Sequence, residues 1–346
     1  MKILHVAAHL GDGAGKAVGG MARLCQAMGH QNAVLLLQEP IKRNHVDQCM
    51  ADGVTFVPTN AVEDAVSSAD IVVLNWWGSP VLDAFMEKFP PVPCRALLWA
   101  HKNGFYDPPL PESLVATCDG LLATSPLTAT KWRDAALVYG VGDFEPEQVA
   151  PKIDYALHAD AFVIGYVGSP GYKKLPPDAL SYFRAVFDAV PNARFVMAGE
   201  SDARFQDDLH RSEFADRVKL IGWTADVSSL LHGVDVFGYP LRRDTFATTE
   251  NAILEAMAAA LPVVMTRDPL GKFIVGENAG LLIESPEEFG AAMRALSRSE
   301  ALRRLKGRSG RERVLSLYRG DSNARRFLEV CAAALRKDRT IHQFGG

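Results

Sequence analysis

Between Asp235 and Val264 the chain passes from an apolar run ending at Pro240, through a polar loop, into an amphipathic stretch and a second apolar run. This pattern predicts a buried strand, a loop, a helix over Glu250–Ala260 and another buried strand over Pro262–Met265. A helix that starts just beyond a strand end presents free N–H groups and its positive dipole end, a setting suited to a diphosphate. Thr248 or Thr249 is the expected N-cap. Asn251 and Glu255 are four apart and share a face, with Thr248 one turn further up. Glu250 is five residues before Glu255, about 140° away at about 100° per residue, so the two carboxylates cannot hold the same group. Glu250 is placed to meet a sugar, and Glu255 to accept from two adjacent ribose hydroxyls. The plain alternatives are that Glu250 only complements the helix dipole and that Glu255 is solvated. The apolar sequel Ala256–Val264 argues that Glu255 borders a buried helix, where an unpaired carboxylate is costly.

A glycine cluster follows the first apolar run: Gly11, Gly13 and Gly15, then Gly19 and Gly20. Glycines there allow a tight turn and bring N–H groups close to a phosphate or sugar, with Gly13 and Gly15 the candidates for contact. A bland tight turn is the alternative. The cluster is no Walker A loop, since Leu10 stands where the first glycine is needed and Ala17 replaces Ser/Thr. It matches the dinucleotide pattern only in part. No Asp-x-Asp occurs, and no His cluster has metal-ligand spacing, so no metal is expected.

These residues need two frames to hold them. The chain has 346 residues, about right for two domains, with 48% hydrophobic and 23% charged residues. Its net charge of −4 gives no support to a nucleic-acid partner. No apolar run reaches the roughly 18 residues that span a bilayer, and Met1–Ala8 runs straight into a strand pattern instead of a signal peptide. Five scattered cysteines without a Cys-x-x-Cys pair read as reduced thiols of a cytoplasmic protein. Short apolar runs alternate with amphipathic stretches almost throughout, which predicts parallel α/β domains. Expected strands in the first half are Lys2–Ala7, Asn32–Leu37, Val54–Val57, Ile71–Asn75, Arg95–Ala100 and Leu121–Thr124, with a helix over Ala17–Met28. The second half is expected to hold strands at Phe162–Val167, Arg194–Ala198, Val218–Ile221, Val234–Tyr239, Pro262–Met265 and Gly280–Ile283. Gly140–Asp160 reads as the linker. The expected domains are residues 1–150 and 151–318, with 319–346 as a last helix and tail crossing back to the first domain. Both halves begin strand, glycine-rich turn, helix, the opening of a doubly wound sheet whose ligands sit beyond the strand carboxyl ends.

In the Asp235–Val264 block the chain resembles family 4 of the retaining GT-B glycosyltransferases. That family carries a proline, an acid four residues on, then a glutamate followed by Ala-Met-Ala, glycine, proline and a Val-Val strand. Here Asp244 stands four after Pro240, and Glu255 opens Glu-Ala-Met-Ala-Ala-Ala-Leu-Pro-Val-Val, with Ala260 in place of the usual glycine. The family's two acids are separated by seven intervening residues, which would put the first on Ala247, whereas ten separate Asp244 from Glu255. Ala247-Thr248-Thr249-Glu250-Asn251 matches a Gly-Thr-x-Glu-Asn variant, so the first acid is either Glu250 or Asp244. The resemblance further implies a lysine at Lys174, after Gly168, to neutralise a donor diphosphate. Ser169 replaces the family's arginine, and Arg242 is the candidate for the missing charge. His101 matches a histidine near the donor sugar, and Gly199 and Trp223 fall where the family holds the nucleobase. Trp76 and Trp77 would line an acceptor groove or pack in the core. The basic run Arg298–Arg313 would touch an anionic membrane or form a solvated helix face.

The expected protein is therefore an α/β GT-B chain of two Rossmann-like domains facing a cleft. It would move a hexose from a UDP- or GDP-sugar to a saccharide, lipid-linked or protein acceptor, with retention and without a cofactor or metal. The resemblance places it in bacterial polysaccharide or glycoconjugate assembly, in the cytoplasm or at the inner membrane face. Its rivals are a GT-B sugar-nucleotide epimerase, a degenerate GT-B domain that only binds, and a Rossmann oxidoreductase.

Overall fold

The computed structural model describes residues 1–11, 13–39, 43–106, 108–142, 144, 160–224 and 226–344. Most of the expected linker Gly140–Asp160 lies outside the described residues, as does Asp12 of the glycine cluster. The strands are β1 (Lys2–Ala7), β2 (Gln31–Leu36), β3 (Thr55–Phe56), β4 (Ile71–Trp76), β5 (Ala96–Ala100), β6 (Gly120–Ala123), β7 (Ala136–Leu137), β8 (Phe162–Val167), β9 (Ala193–Ala198), β10 (Val218–Gly222), β11 (Val236–Tyr239), β12 (Val263–Thr266) and β13 (Gly280–Ile283). The helices are α1 (Gly13–Ala27), α2 (Asn44–Ala51), α3 (Val62–Ser68), α4 (Pro80–Glu87), α5 (Glu112–Thr117), α6 (Pro126–Lys131), α7 (Ala179–Ala189), α8 (Ala203–His210), α9 (Val227–His232), α10 (Asn251–Ala258), α11 (Pro269–Ile274), α12 (Pro286–Arg298), α13 (Glu300–Leu317) and α14 (Gly320–Ala334).

The chain divides into two compact units. The first comprises residues 1–145, 246–249 and 318–346; the second comprises 146–245 and 250–317. The first unit's sheet runs β3-β2-β1-β4-β5-β6-β7 and the second's runs β10-β9-β8-β11-β12-β13. Every pairing in both is parallel. The order 3-2-1-4-5-6 occurs in each, so each sheet has one switch point, β1/β4 in the first unit and β8/β11 in the second. Strands of such sheets are covered on both faces and read as continuous apolar runs. Accordingly β1 is buried from Ile3 to Ala7, β4 throughout, and β11 and β12 throughout.

The last helix belongs to the first unit's core. Ala324, Phe327, Cys331 and Ala334 of α14 join Ile3, Met21, Cys25 and Trp99 in one buried cluster. Burying a Phe or Leu side chain contributes about 1.5–3 kcal/mol, so this one stripe ties residues more than 300 positions apart into one fold.

Two expectations from composition change here. α1 starts at Gly13, four residues earlier than the apolar periodicity suggests, so most of the glycine cluster is helix rather than loop. The basic run of α13 is neither bare nor merely solvated. Arg303 donates to Leu296 and Ser297 O at the end of α12, Arg313 to Phe273 and Ile274 O at the end of α11, and Arg311 to Ala258 O at the end of α10. Cations on the orphan carbonyls of helix C-termini are favourable, so these three arginines serve the packing of the second unit.

Candidate active site

In the second unit the strand ends at the switch point carry the charged residues. β8, β9 and β10 each lead into or end on a glycine with positive φ: Gly168 (148°), Gly199 (124°) and Gly222 (71°). A Cβ on Gly199 would lie 1.7 Å from Gly168 O, so the two backbones pass too closely for any side chain. β11 ends on Tyr239, which is fully buried and stacked on Tyr166 of β8, with centroids 4.9 Å apart and planes 16° from parallel.

Lys174, in the loop after β8, and Glu250, just before α10, meet over these rings. Lys174 Nζ donates to Glu250 Oε2 at 2.9 Å, and Tyr239 Oη donates to the same oxygen at 2.7 Å. The Glu250 side chain is 9% exposed and that of Lys174 24%. Burial works against the Lys174 ammonium, but the Glu250 carboxylate outweighs it and holds the lysine above its usual pKa. Burial first, and then the Glu250 carboxylate, push the Tyr239 phenol well above 10. The site is thus a buried-edge ion pair with a protonated phenol beside it.

Glu250 is not the first-turn residue of a helix. It is the N-cap of α10, it has a left-handed backbone (φ 47°, ψ 75°), and no side chain caps the helix. The expected caps are spent in the first unit. Thr249 Oγ1 donates to Thr124 O at 3.0 Å and accepts from Gly140 N at 3.1 Å, and Thr248 Oγ1 donates to His101 O at 3.3 Å. Asn103 donates from its side chain to Ala247 O. A hydroxyl used in this way cannot also bind the N–H of N2 or N3, so the expected Thr248 or Thr249 cap does not form.

The alternatives for the first acid separate geometrically. Asp244 is 58% exposed and takes both Nε and Nη2 of Arg242, at 2.6 and 2.5 Å. Arg242 also donates to Tyr172 O at 3.0 Å. Arg242 and Asp244 therefore neutralise each other, while Glu250 is the acid brought to Lys174. Ser169 is exposed, Glu255 and Asn251 are half-buried on α10, and Trp223 is 58% exposed beyond β10.

In the first unit the buried polar residues at the strand ends are neutral. His101 follows β5 and is 9% exposed. Asn75 donates from Nδ2 to Val6 and Val73 O, so its Oδ1 faces His101 and accepts from Nε2 at 3.0 Å. Burial, and then His5, lower the His101 pKa to about 3, so the imidazole is uncharged. Trp77 lies edge-on to both His9 (5.5 Å) and His101 (5.9 Å), whereas Trp76 is a core residue. Gly13 is exposed with open space above it, but Gly15 is fixed by packing: a Cβ there would lie 2.4 Å from the Leu10 backbone. Of the expected donor residues, Gly13, Gly15, Thr248, Thr249 and His101 are in the first unit; Gly168, Ser169, Lys174, Gly199, Trp223, Glu250, Asn251 and Glu255 are in the second. Tyr239 and Asn75 went unnoticed in the sequence. The one available signal for Tyr239 was an aromatic hydroxyl at a strand end immediately before Pro240.

Residues 161–299, from β8 through α12, match the family model for glycosyl transferases group 1. No curated protein matched the chain. Among solved structures, HepE of Anabaena in complex with UDP superposes with a TM-score of 0.76 at 14% identity, covering 96% of this chain and 100% of that one. The chain has the GT-B fold. A glycosyltransferase of Rickettsia africae gives 0.74 at 13% identity, with 97% and 99% coverage. The lipopolysaccharide outer core galactosyltransferase WaaB gives 0.68 at 13%, with 96% and 99% coverage. The GT-B frame and the resemblance to family 4 thus stand on the whole chain's architecture and on a family match within the second unit.

Proposed function

We propose that this GT-B chain is a retaining glycosyltransferase that takes a hexose from a nucleoside-diphosphate sugar without a metal ion or cofactor. The observation that carries the reading is the Lys174–Glu250–Tyr239 cluster at the β8/β11 switch point, beside three strand ends closed by positive-φ glycines. Ligands of doubly wound sheets bind at such points. The Lys174 ammonium is the charge for the diphosphate, and Glu250 orients the sugar. Glu255 accepts from the ribose, Trp223 and Gly199 face the base, and neutral His101 serves the sugar as a hydrogen-bonding partner. With no protein nucleophile assigned, retention comes from the leaving phosphate assisting the acceptor, so catalysis is positioning and charge stabilisation.

Uridine is the first base to test, because HepE was solved with UDP-glucose; GDP is the second. The acceptor is a saccharide, free or lipid-linked or on protein, and the setting is cytoplasmic assembly of a bacterial polysaccharide or glycoconjugate. Membrane contact gains little from α13, whose Arg303, Arg311 and Arg313 are occupied by helix-end carbonyls. Among the described residues no helix is long and apolar enough to cross a membrane.

The test is thermal shift with UDP, GDP and ADP in EDTA, followed by release of nucleoside diphosphate from the matching sugar. One nucleotide at 100 times its Kd should stabilise the native protein by about 2.7 kcal/mol. Loss of turnover in EDTA, restored by Mn²⁺, would refute the metal-free site. No response to any nucleotide or nucleotide sugar would leave the binding-only scaffold, which Ser169 in place of an arginine favours.

A further inference from the structure

We propose that Tyr239 is the positioning residue of the donor site, fixing the Glu250 carboxylate through one oxygen so that the other meets the sugar; this rests on the donor-site reading above. Tyr239 has little freedom of its own. Its ring is fully buried, with Tyr166 at 4.9 Å and Phe237 at 5.5 Å, nearly parallel to both. A fully buried ring packed against two others holds its hydroxyl at a fixed point.

From that point the phenol donates to Glu250 Oε2 at 2.7 Å, and Lys174 Nζ donates to the same atom at 2.9 Å. The bonds made to Glu250 among the described residues all use Oε2, which leaves Oε1 as the acceptor for a ligand. The two donors differ in what a diphosphate would do to them. The Lys174 ammonium is a mobile charge on a flexible stem, drawn to phosphate. The phenol is neutral and rigid, and its pKa well above 10 keeps it a donor. When a diphosphate competes for Lys174, Tyr239 is the partner that stays on Glu250. Removing it frees the carboxylate to rotate at the moment when its orientation matters. This places the effect on turnover, not on nucleotide binding.

Tyr166 is the internal control. It belongs to the same ring stack, but among the described residues its buried hydroxyl makes no hydrogen bond to Glu250 or Lys174; its polar neighbour is the Tyr239 hydroxyl, so losing it leaves both bonds to Glu250 Oε2 in place.

The experiment compares Tyr239→Phe, Tyr166→Phe, Glu250→Gln and the Tyr239→Phe/Glu250→Gln double variant with the wild type. Phenylalanine keeps the ring stack and so the fold. For Tyr239→Phe the expected result is a fall in kcat of about tenfold, with donor KM and UDP or GDP affinity within about twofold. Tyr166→Phe should stay within about twofold of wild type. The double variant should be no slower than Glu250→Gln alone, because Tyr239 acts only through Glu250. Wild-type turnover in Tyr239→Phe overturns the positioning role, as does a loss that adds in full to that of Glu250→Gln. If the wild type neither binds a nucleotide sugar nor releases its nucleotide, the donor-site reading falls and this role with it. If the same variants are poorly folded, the cycle is measured on UDP-sugar against UDP affinity, where coupling between Tyr239 and Glu250 must persist.

Discussion

His101 of the first unit and Glu250 of the second both stand just beyond the strand ends of a sheet wound in the same order, yet their surroundings differ in kind. Around His101 the hydrogen bonds run between uncharged groups: Asn75 donates to Val6 and Val73 O and accepts from His101, and Trp77 lies edge-on to His101 and His9. Around Glu250 there are a charged partner, Lys174, and a left-handed backbone at a residue other than glycine. Strain persists where surrounding structure over-determines it, and it gathers at functional sites. The Lys174–Glu250 ion pair thus lies in the second unit, while the buried polar residues at the first unit's strand ends are neutral.

The largest effect should come from Lys174. Lys174→Met removes the only cation on Glu250 recorded among the described residues and, on the proposed reading, the charge for the diphosphate. We expect kcat/KM for the nucleotide sugar to fall at least about a hundredfold, in line with a charge-assisted contact worth on the order of 3 kcal/mol, and nucleotide binding to weaken. His101→Ala, which removes a neutral group, should cost about tenfold. Steady-state kinetics on both variants checks the contrast, and it breaks if His101→Ala is the more damaging.

The neutral region has its own vulnerability, and pH exposes it. His5 is held down to about 4 by burial, only partly offset by Asn32, and His101 to about 3 by burial and His5, both from an ordinary 6.5. As pH falls below 6.5 the unfolded chain takes up protons before the folded one does. Stability contributed by the neutral histidines is thus complete above about 6.5 and is lost as pH drops toward 4 and 3. At pH 5 each should cost on the order of 2 kcal/mol. Urea unfolding of His5→Phe should show a shallower loss between pH 7 and 5 than the wild type. An equal slope would mean that His5 is not the titrating group.

What could be read in advance follows from what is local. Strand positions and the α10–β12 block are encoded in short periodicities and neighbouring residue types, and those expectations agree with the elements found to within a few residues. The cap of α10 was illegible because the Thr249 hydroxyl is claimed by Thr124 and Gly140, more than 100 positions away. The arginines of α13 were unreadable as helix caps, since their carbonyl partners end α10, α11 and α12. Tyr239 was hidden in an apolar run that sequence logic assigns to the core. It does lie in the core, with its hydroxyl reaching Glu250.

The smallest effect separates strain that serves the site from strain that does not, and α10 carries one case at each end. Ala260 also has a left-handed backbone, φ 57°. The cause is the helix stop: Ala260 N donates to Met257 O and Leu261 N to Ala256 O, both at 3.0 Å, the paired bonds of a Schellman ending with Ala260 in the left-handed position. Glycine holds that conformation freely, whereas alanine is strained there by roughly 1 kcal/mol. The turn cannot relax outward, because Gly307 of α13 packs so tightly that a Cβ on it would lie 1.9 Å from Ala260 O. The Ala260 side chain is exposed, so its methyl adds little packing. Glycine gives back part of the gain through its greater freedom in the unfolded chain. Ala260→Gly should therefore stabilise the protein by about 0.5 kcal/mol, a rise of one or two degrees in Tm by calorimetry, with transfer unchanged. Glu250→Gly relieves the same kind of backbone strain at the other end of α10 but deletes the carboxylate, and should abolish most of the activity. A lower Tm in Ala260→Gly would show that the helix stop is not under strain, and the contrast between the two ends of α10 would then rest on Glu250 alone.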